Sequence, residues 1–378
     1  MKYAVIGAGL IGSAAARHMA LAGLDVTLIG PGEPADLRSH AGVFGSHYDE
    51  GRITRGLDPM PFWSRASRAS IARYGEIEAA SGIRFYSEVG CLMAGPEGSS
   101  KMAAIDEVAA RDALSCEYFD RDALARRFPY FAFPDGATGR FEAVGAGHIS
   151  PRSLVRAQLT AGVAAGVQHL AEEVTGFDDG PDGVTLHCAS GPRVFDRVLM
   201  ATGGFSDALI GSVLPMEVYG RTVALFELEE AEAARLASMP SLIWQDPDRD
   251  NPYLLPPIRY PDGKVYVKLG YDPEDILLRD TADVKAWFRS EGTPGVADQI
   301  EAMIRDRMPD LAIAGRRVVT CVTSYTPNQL PHLKALSDRV FTAIGGCGRA
   351  AKNSDELGRL GAVIVSGGAL PDWAVEAG

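Results

Sequence analysis

Over the first thirty residues the apolar and polar positions alternate between short runs and a glycine-spaced turn. Lys2–Ile6 is apolar enough for a buried strand, and Gly7-Ala8-Gly9-Leu10-Ile11-Gly12 follows it directly. Ser13–Ala22 reads as a helix and Asp25–Ile29 as a second apolar run. Strand, glycine turn, helix, strand predicts a βαβ unit. Further along, Ser150–Val163 predicts a helix, and Val167–Phe177 and Val184–Cys188 predict strands. Asp196–Gly204, DRVLMATGG, predicts a buried strand ending in glycines. Val340–Ile344 predicts a strand running into Gly345-Gly346-Cys347-Gly348. A final helix follows, with Asn353 and Glu356 at the spacing of a capping box.

The βαβ repeat does not continue. From Phe85 to about Val144, and from Met216 to about Arg317, hydrophobic alternation is broken by proline and glycine turns. These stretches predict a second domain on a mainly antiparallel sheet. The predicted fold class is α/β, with a split Rossmann-like domain formed by residues 1–84, 145–215 and 318–378. Residues 85–144 and 216–317 form the second, substrate-binding domain.

The glycine turn carries a dinucleotide signature. Gly7 permits the tight turn, Gly9 lets backbone approach a pyrophosphate, and Gly12 lets helix pack on strand. The helix N-terminus adds N–H donors and a positive dipole end. The second strand should end on an acid that holds the adenosine ribose, yet Gly30 stands there. Either Glu33, three residues on, reaches back or the ribose is held otherwise.

Composition narrows the partners. Forty-nine acidic against 37 basic residues give a net charge of −12, which excludes nucleic acid and anionic membrane as natural partners. Five scattered cysteines, an odd number, show no C-x-x-C pair and no metal-ligand spacing. That pattern fits a reducing, cytoplasmic setting without structural zinc or other metal. Arg17 and His18 interrupt the apolar N-terminus, which argues against a secretory signal, and no long uncharged apolar window predicts a membrane span.

The strand Lys264–Asp272 sorts its residues by period two. Val265, Val267, Leu269 and Tyr271 take the core face, leaving Tyr266, Lys268, Gly270 and Asp272 on the other. Gly270 marks a place where something large comes close. Read alone, Lys268 is a solvated lysine. Arg52 and Arg55, flanked by Asp49, Glu50 and Asp58, are surface ion pairs, and Cys321 is a small buried hydrophobe. No Ser-His-Asp set and no G-x-S-x-G elbow appears.

A glycine-ended strand recurs near residues 200 and 345, where a nicotinamide dehydrogenase would already have closed its cofactor domain. The segments ATGG and VFTAIGGCG resemble flavin-contacting strands of the D-amino acid oxidase superfamily, and the chain as a whole matches that layout. HISPRSLVRAQLTAGVAAGV (His148–Val167) resembles the superfamily's middle helix. GSHYDEGRITR (Gly45–Arg55), YVKLGYD (Tyr266–Asp272) and TCVTSYTP (Thr320–Pro327) are similar to the monomeric sarcosine oxidase and N-methyltryptophan oxidase branch.

The resemblance implies FAD as cofactor, with Thr202, Gly346 and His47 beside it and Cys321 bonded through sulfur to the flavin 8α carbon. Cys347 is the competing sulfur. It implies that Lys268 activates oxygen and that Arg52 lies by the flavin ring. Arg55 and Lys352 would clamp a substrate carboxylate, while Tyr253 and Trp244 are pocket-lining or ordinary core aromatics. Sarcosine oxidases have histidine where this chain has Asp272, so the substrate end differs, and a cationic or hydroxylated substrate group suits a carboxylate there. The implied reaction is oxidation of an N-substituted amino acid, with molecular oxygen as acceptor. A flavin dehydrogenase using another acceptor and a nicotinamide-dependent dehydrogenase are the alternatives.

Overall fold

The structure, a computed structural model, describes residues 1–246 and 251–378. Its first layer is a six-stranded sheet. The strand order is His332–Ala335, Val340–Ile344, Arg197–Met200, Lys2–Ile6, Asp25–Ile29 and Gln168–Leu170. All neighbours are parallel except the edge strand His332–Ala335. Alternate residues of the central strand face opposite layers, as period two demands. Tyr3 and Val5 pack against the helices Leu10–Leu21, Pro61–Ser81 and Ala350–Val365. Ala4 and Ile6 pack against a three-stranded antiparallel meander, Val174–Gly180, Gly183–Cys188 and Gly191–Phe195.

Glycine sets the closeness of this layering. A Cβ at Gly358 would come within 2.6 Å of Ala14 Cβ and Ala15 N, so the first and last helices meet almost backbone to backbone. A buried polar network ties the helices together. Arg17 contacts Gln158 and Asp355, and Asp355 also accepts from Arg73.

The second layer is a nine-stranded sheet containing Cys91–Pro96, Glu217–Leu228, Tyr253–Arg259 and Val265–Gly270. It is antiparallel except where Ser241–Trp244 runs parallel to Cys91–Pro96. The fold is therefore α/β, a parallel Rossmann-like sheet beside a mainly antiparallel one. Gly315–Tyr325, the strand carrying Cys321, pairs with Glu217–Leu228 along its length and so belongs to the second sheet, across the expected boundary at residue 318. That pairing sets Cys321 opposite Arg221.

Two local expectations are corrected. Val167–Phe177 is two strands, Gln168–Leu170 in the parallel sheet and another from Val174 in the meander, separated by a polar turn at Ala171–Glu173. The capping box at Asn353 and Glu356 does not form. The last helix starts at Ala350, Asn353 bonds back to the Arg349 carbonyl, and Glu356 is buried against Arg73 and Arg359. No helix of the described residues is long and apolar enough to cross a membrane.

Candidate active site

The glycine turn opens a long cleft between the two layers. Gly7 has φ +104°, and a Cβ there would lie 2.4 Å from the Ala201 carbonyl oxygen; at Gly12 it would lie 1.8 Å from the Gly7 carbonyl oxygen. Both positions exclude any side chain. Gly9 differs: its nearest neighbour to an added Cβ is His47 Nδ1, at 3.9 Å, so its backbone faces open space. Gly9 is the N-cap of helix Leu10–Leu21, and no side chain caps it. Uncapped N–H groups at a helix start, beside an open cradle, suit an anionic pyrophosphate.

The same cleft is lined by Thr202, His47, Arg52, Cys321 and Gly346. Burial, with Arg152 and Arg52 adding, depresses His47 to about 4, so its imidazole is neutral near pH 7. Glu33 is not among the lining residues. Arg152 holds both its carboxylate oxygens at 2.6 Å and takes Glu50 at 2.6 Å as well. The missing acid at Gly30 has a steric reason: a Cβ there would come within 2.4 Å of Ala8 N. Pro31 lines the cleft beside it.

At the far end of the cleft, Arg52 binds Cys321 Sγ at 3.2 Å. Arg52 also pairs with Asp49, three residues before it. Asp49 in turn takes Lys268 Nζ at 2.5 Å and Tyr260 OH at 2.8 Å. Lys268 has no exposed surface and donates also to the Gly51 carbonyl at 2.7 Å. Burial and the Arg52 charge push its pKa well below the usual ammonium range, while Asp49 in direct contact pulls the other way. Lys268 therefore sits one ion pair behind the cleft wall. Gly270 lets Tyr253 in: its Cβ would fall 2.1 Å from the Tyr253 ring, whose centroid is 5.6 Å from Lys268 Nζ.

A second cationic cluster lies under the C-terminal glycine loop. Asp58 Oδ2 is 3.1 Å from Lys352 Nζ, 3.4 Å from Arg55 and 3.6 Å from Arg349. Burial alone would raise Asp58, but Lys352, Arg55 and Arg349 outweigh it and hold its carboxyl at about 2. Burial lowers Lys352 to about 8, with Asp58 opposing, so both partners are charged near neutrality. Arg55 and Lys352 are thus brought together, but around a carboxylate of the chain itself. Asp272 lies elsewhere, 3.6 Å from Arg221, which crosses the sheet from Cys321 and also binds Asp275. Trp244 is core, packed under Arg307.

Asp49, Asp58, Arg349 and Arg221 did not stand out in the sequence. A signal existed for the first two: Asp49, Arg52, Arg55 and Asp58 recur at intervals of three. Such spacing reads equally well as exposed ion pairs, yet Asp49 is 7% exposed and Asp58 0%.

Comparison with known proteins agrees with this geometry. The FAD-dependent oxidoreductase family matches residues 2–363. N-methyl-L-tryptophan oxidase of Yersinia pestis (strain Pestoides F) is 23% identical over 370 residues, covering 95% of this chain and 93% of its own. Among solved structures, NikD, described as an unusual amino acid oxidase essential for nikkomycin biosynthesis, superposes with a TM-score of 0.73 at 20% identity, covering 100% of this chain and 94% of its own. Glycine oxidase from Geobacillus kaustophilus gives 0.72 at 16% identity, covering 100% and 97%. L-proline dehydrogenase from P. horikoshii gives 0.75 at 15% identity, covering 99% and 95%. With a glycine cradle, a continuous cleft and a family match over nearly its whole length, this chain belongs to the FAD-dependent oxidoreductases.

Proposed function

We propose that the protein is an oxidase of an N-substituted amino acid, secondary or N-methyl, that yields an imine hydrolysed to amine plus aldehyde or oxoacid, with hydrogen peroxide from oxygen. One observation carries the reading. A single cleft runs from the uncapped helix at Gly9 to Arg52 and Cys321, with the buried Lys268–Asp49 pair behind it. The residues present fit FAD, with Gly7, Gly9 and Gly12 shaping its pyrophosphate site and Thr202, Gly346 and His47 beside it. When bound, FAD supplies the two-electron acceptor that no side chain of this chain provides.

Cys321 is the proposed attachment sulfur. It lines the cleft, whereas Cys347 is 1% exposed and lies against Gly345 O and Thr326 in the core. Arg52 stands 3.2 Å from the Cys321 sulfur, at the same end of the cleft. Arg55 and Lys352 would orient a substrate carboxylate, and Tyr253 and Asp272 would border the amine. Lys268, when protonated, would place a positive charge in a dry site where negative charge would develop on oxygen. The five cysteines are all free, which supports a reducing, cytoplasmic setting.

The test is an aerobic peroxide screen across N-methyl, N-carboxymethyl and cyclic amino acids with purified protein. Peroxide with at least one of them is expected. Substrate-dependent dye reduction without peroxide would make the protein a dehydrogenase, and a colourless protein that binds NAD would sink the flavin reading.

A further inference from the structure

Three buried or half-buried cations converge on one oxygen atom. Asp58 Oδ2 faces Arg55, Arg349 and Lys352, while its Oδ1 accepts from Met60 N at 3.1 Å, at the entry to helix Pro61–Ser81. Asp58 is therefore held on both sides and fully buried. It is a fixed part of the site and not a surface acid that swings away.

The charge count shows the consequence. Arg55, Arg349 and Lys352 are three positive charges, and Asp58 is one negative. A further acid that interacts with Arg55 and Lys352 is Glu142, whose oxygens accept from Gly56 N and Leu57 N at 2.9 to 3.1 Å. Burial raises Glu142, with those N–H groups and the cations Arg55 and Lys352 opposing. With both acids ionised the cluster keeps one net positive charge; without Asp58 it would keep two. A carboxylate entering between Arg55 and Lys352 must share them with a resident carboxylate, and like charges a few ångströms apart oppose each other's ionisation.

We propose that Asp58 is a specificity-determining residue, an internal competitor standing where a substrate carboxylate would be held. It weakens carboxylate binding, so the site accepts amines whose acid group is absent or displaced alongside α-amino acids. This rests on the reading of Arg55 and Lys352 as the substrate-facing cations.

The test uses the flavin-loaded protein and benzoate as a simple carboxylate probe, followed through the visible flavin spectrum. Asp58→Asn keeps an oxygen for the Met60 N–H and nearly the same volume while removing the charge. Its benzoate dissociation constant should fall at least about tenfold below the parent's, the effect of lifting one like charge from a buried site. KM for an N-methyl amino acid should fall in step, and that for the same amine without its carboxyl should not. A parent-like constant in folded, flavin-loaded Asp58→Asn, or no benzoate binding by either protein, overturns the proposal. If Asp58→Asn fails to fold or to hold flavin, the parent alone decides. A preference in kcat/KM for the acid over its decarboxylated counterpart below about a hundredfold supports the competitor, and a larger one overturns it. Failure of the oxidase reading is separate: it appears as no peroxide with any amine, while the benzoate titration reads binding alone.

Discussion

Replacing Lys268 by methionine removes one charge and leaves most of its surroundings in place. Asp49, which touches Lys268 Nζ at 2.5 Å, keeps Arg52 and the Tyr260 hydroxyl as partners. The main loss is at the Gly51 carbonyl, which accepts from Lys268 at 2.7 Å; an unsatisfied buried acceptor costs about 1–3 kcal/mol. Relief from burying an ammonium offsets part of that, and methionine fills a similar volume. The fold and flavin content should therefore survive. The effect on oxygen is larger. Losing one preorganised electrostatic contact in a dry site typically costs about 10²–10³ in rate, or roughly 2.7–4 kcal/mol. Stopped-flow mixing separates the halves: anaerobic reaction with substrate should change little, and reaction with oxygen should slow by about that factor. A pH series adds an independent readout. Burial and Arg52 depress Lys268, so its charge is present at low pH and lost as pH rises through the depressed value. The parent's oxygen half-reaction should fall over that range, and that of Lys268→Met should be flat. Equal slowing of both halves, or an unchanged pH profile in the variant, refutes the assigned role.

Acid precipitation should leave yellow colour in the pellet of the parent and of Cys347→Ser but not of Cys321→Ser, with intact mass showing one added FAD; the reverse pattern moves the bond to Cys347. Arg55→Ala or Lys352→Ala should weaken binding of an N-methyl amino acid by about 2–5 kcal/mol with flavin content retained, and unchanged kcat/KM in both would place the carboxylate elsewhere. His47 at about 4 in the folded chain, against the ordinary 6.5, makes the unfolded state bind more protons between those values. Stability should then be lost as pH falls from about 6.5 toward 4, by up to about 3 kcal/mol, and urea melts of His47→Gln should show a shallower loss.

Most of the fold was legible because its cues are local. A strand, a glycine turn and a helix lie within thirty residues, and Gly7 and Gly12 are needed for sterics that any dinucleotide turn imposes. The period-two face of Lys264–Asp272 held for the same reason, and Gly270 marked a real close approach, that of the Tyr253 ring. Illegible parts depend on distance in sequence. Nothing near Asn353 says that Arg73, far upstream, pairs with Glu356 and turns a capping signal into an interior one. Gly315–Tyr325 chose its sheet through pairing with residues about a hundred positions earlier. Glu33 was the nearest acid to Gly30 along the chain, but Arg152 holds it.

Asp49 and Asp58 follow from the cost of the chemistry they border. The reading of this site needs positive charge in two dry places, at Arg52 with Lys268 and at Arg55 with Lys352. An uncompensated buried ion costs several kcal/mol, and two of like sign side by side cost more. Each pair has an aspartate three residues from its arginine, one before Arg52 and one after Arg55. The fold thus holds its cations in the absence of substrate, which a site neutralised only by an incoming ligand could not do without strain or loss of protons. The compensation is uneven in its consequences. At Lys268 the counter-ion Asp49 stands between that cation and Arg52 at the cleft wall, one carboxylate shared by two cations that together keep one net positive charge for oxygen. At Lys352 it lies among the cations themselves, so stability of the empty site and affinity for a substrate carboxylate draw on the same oxygen atom.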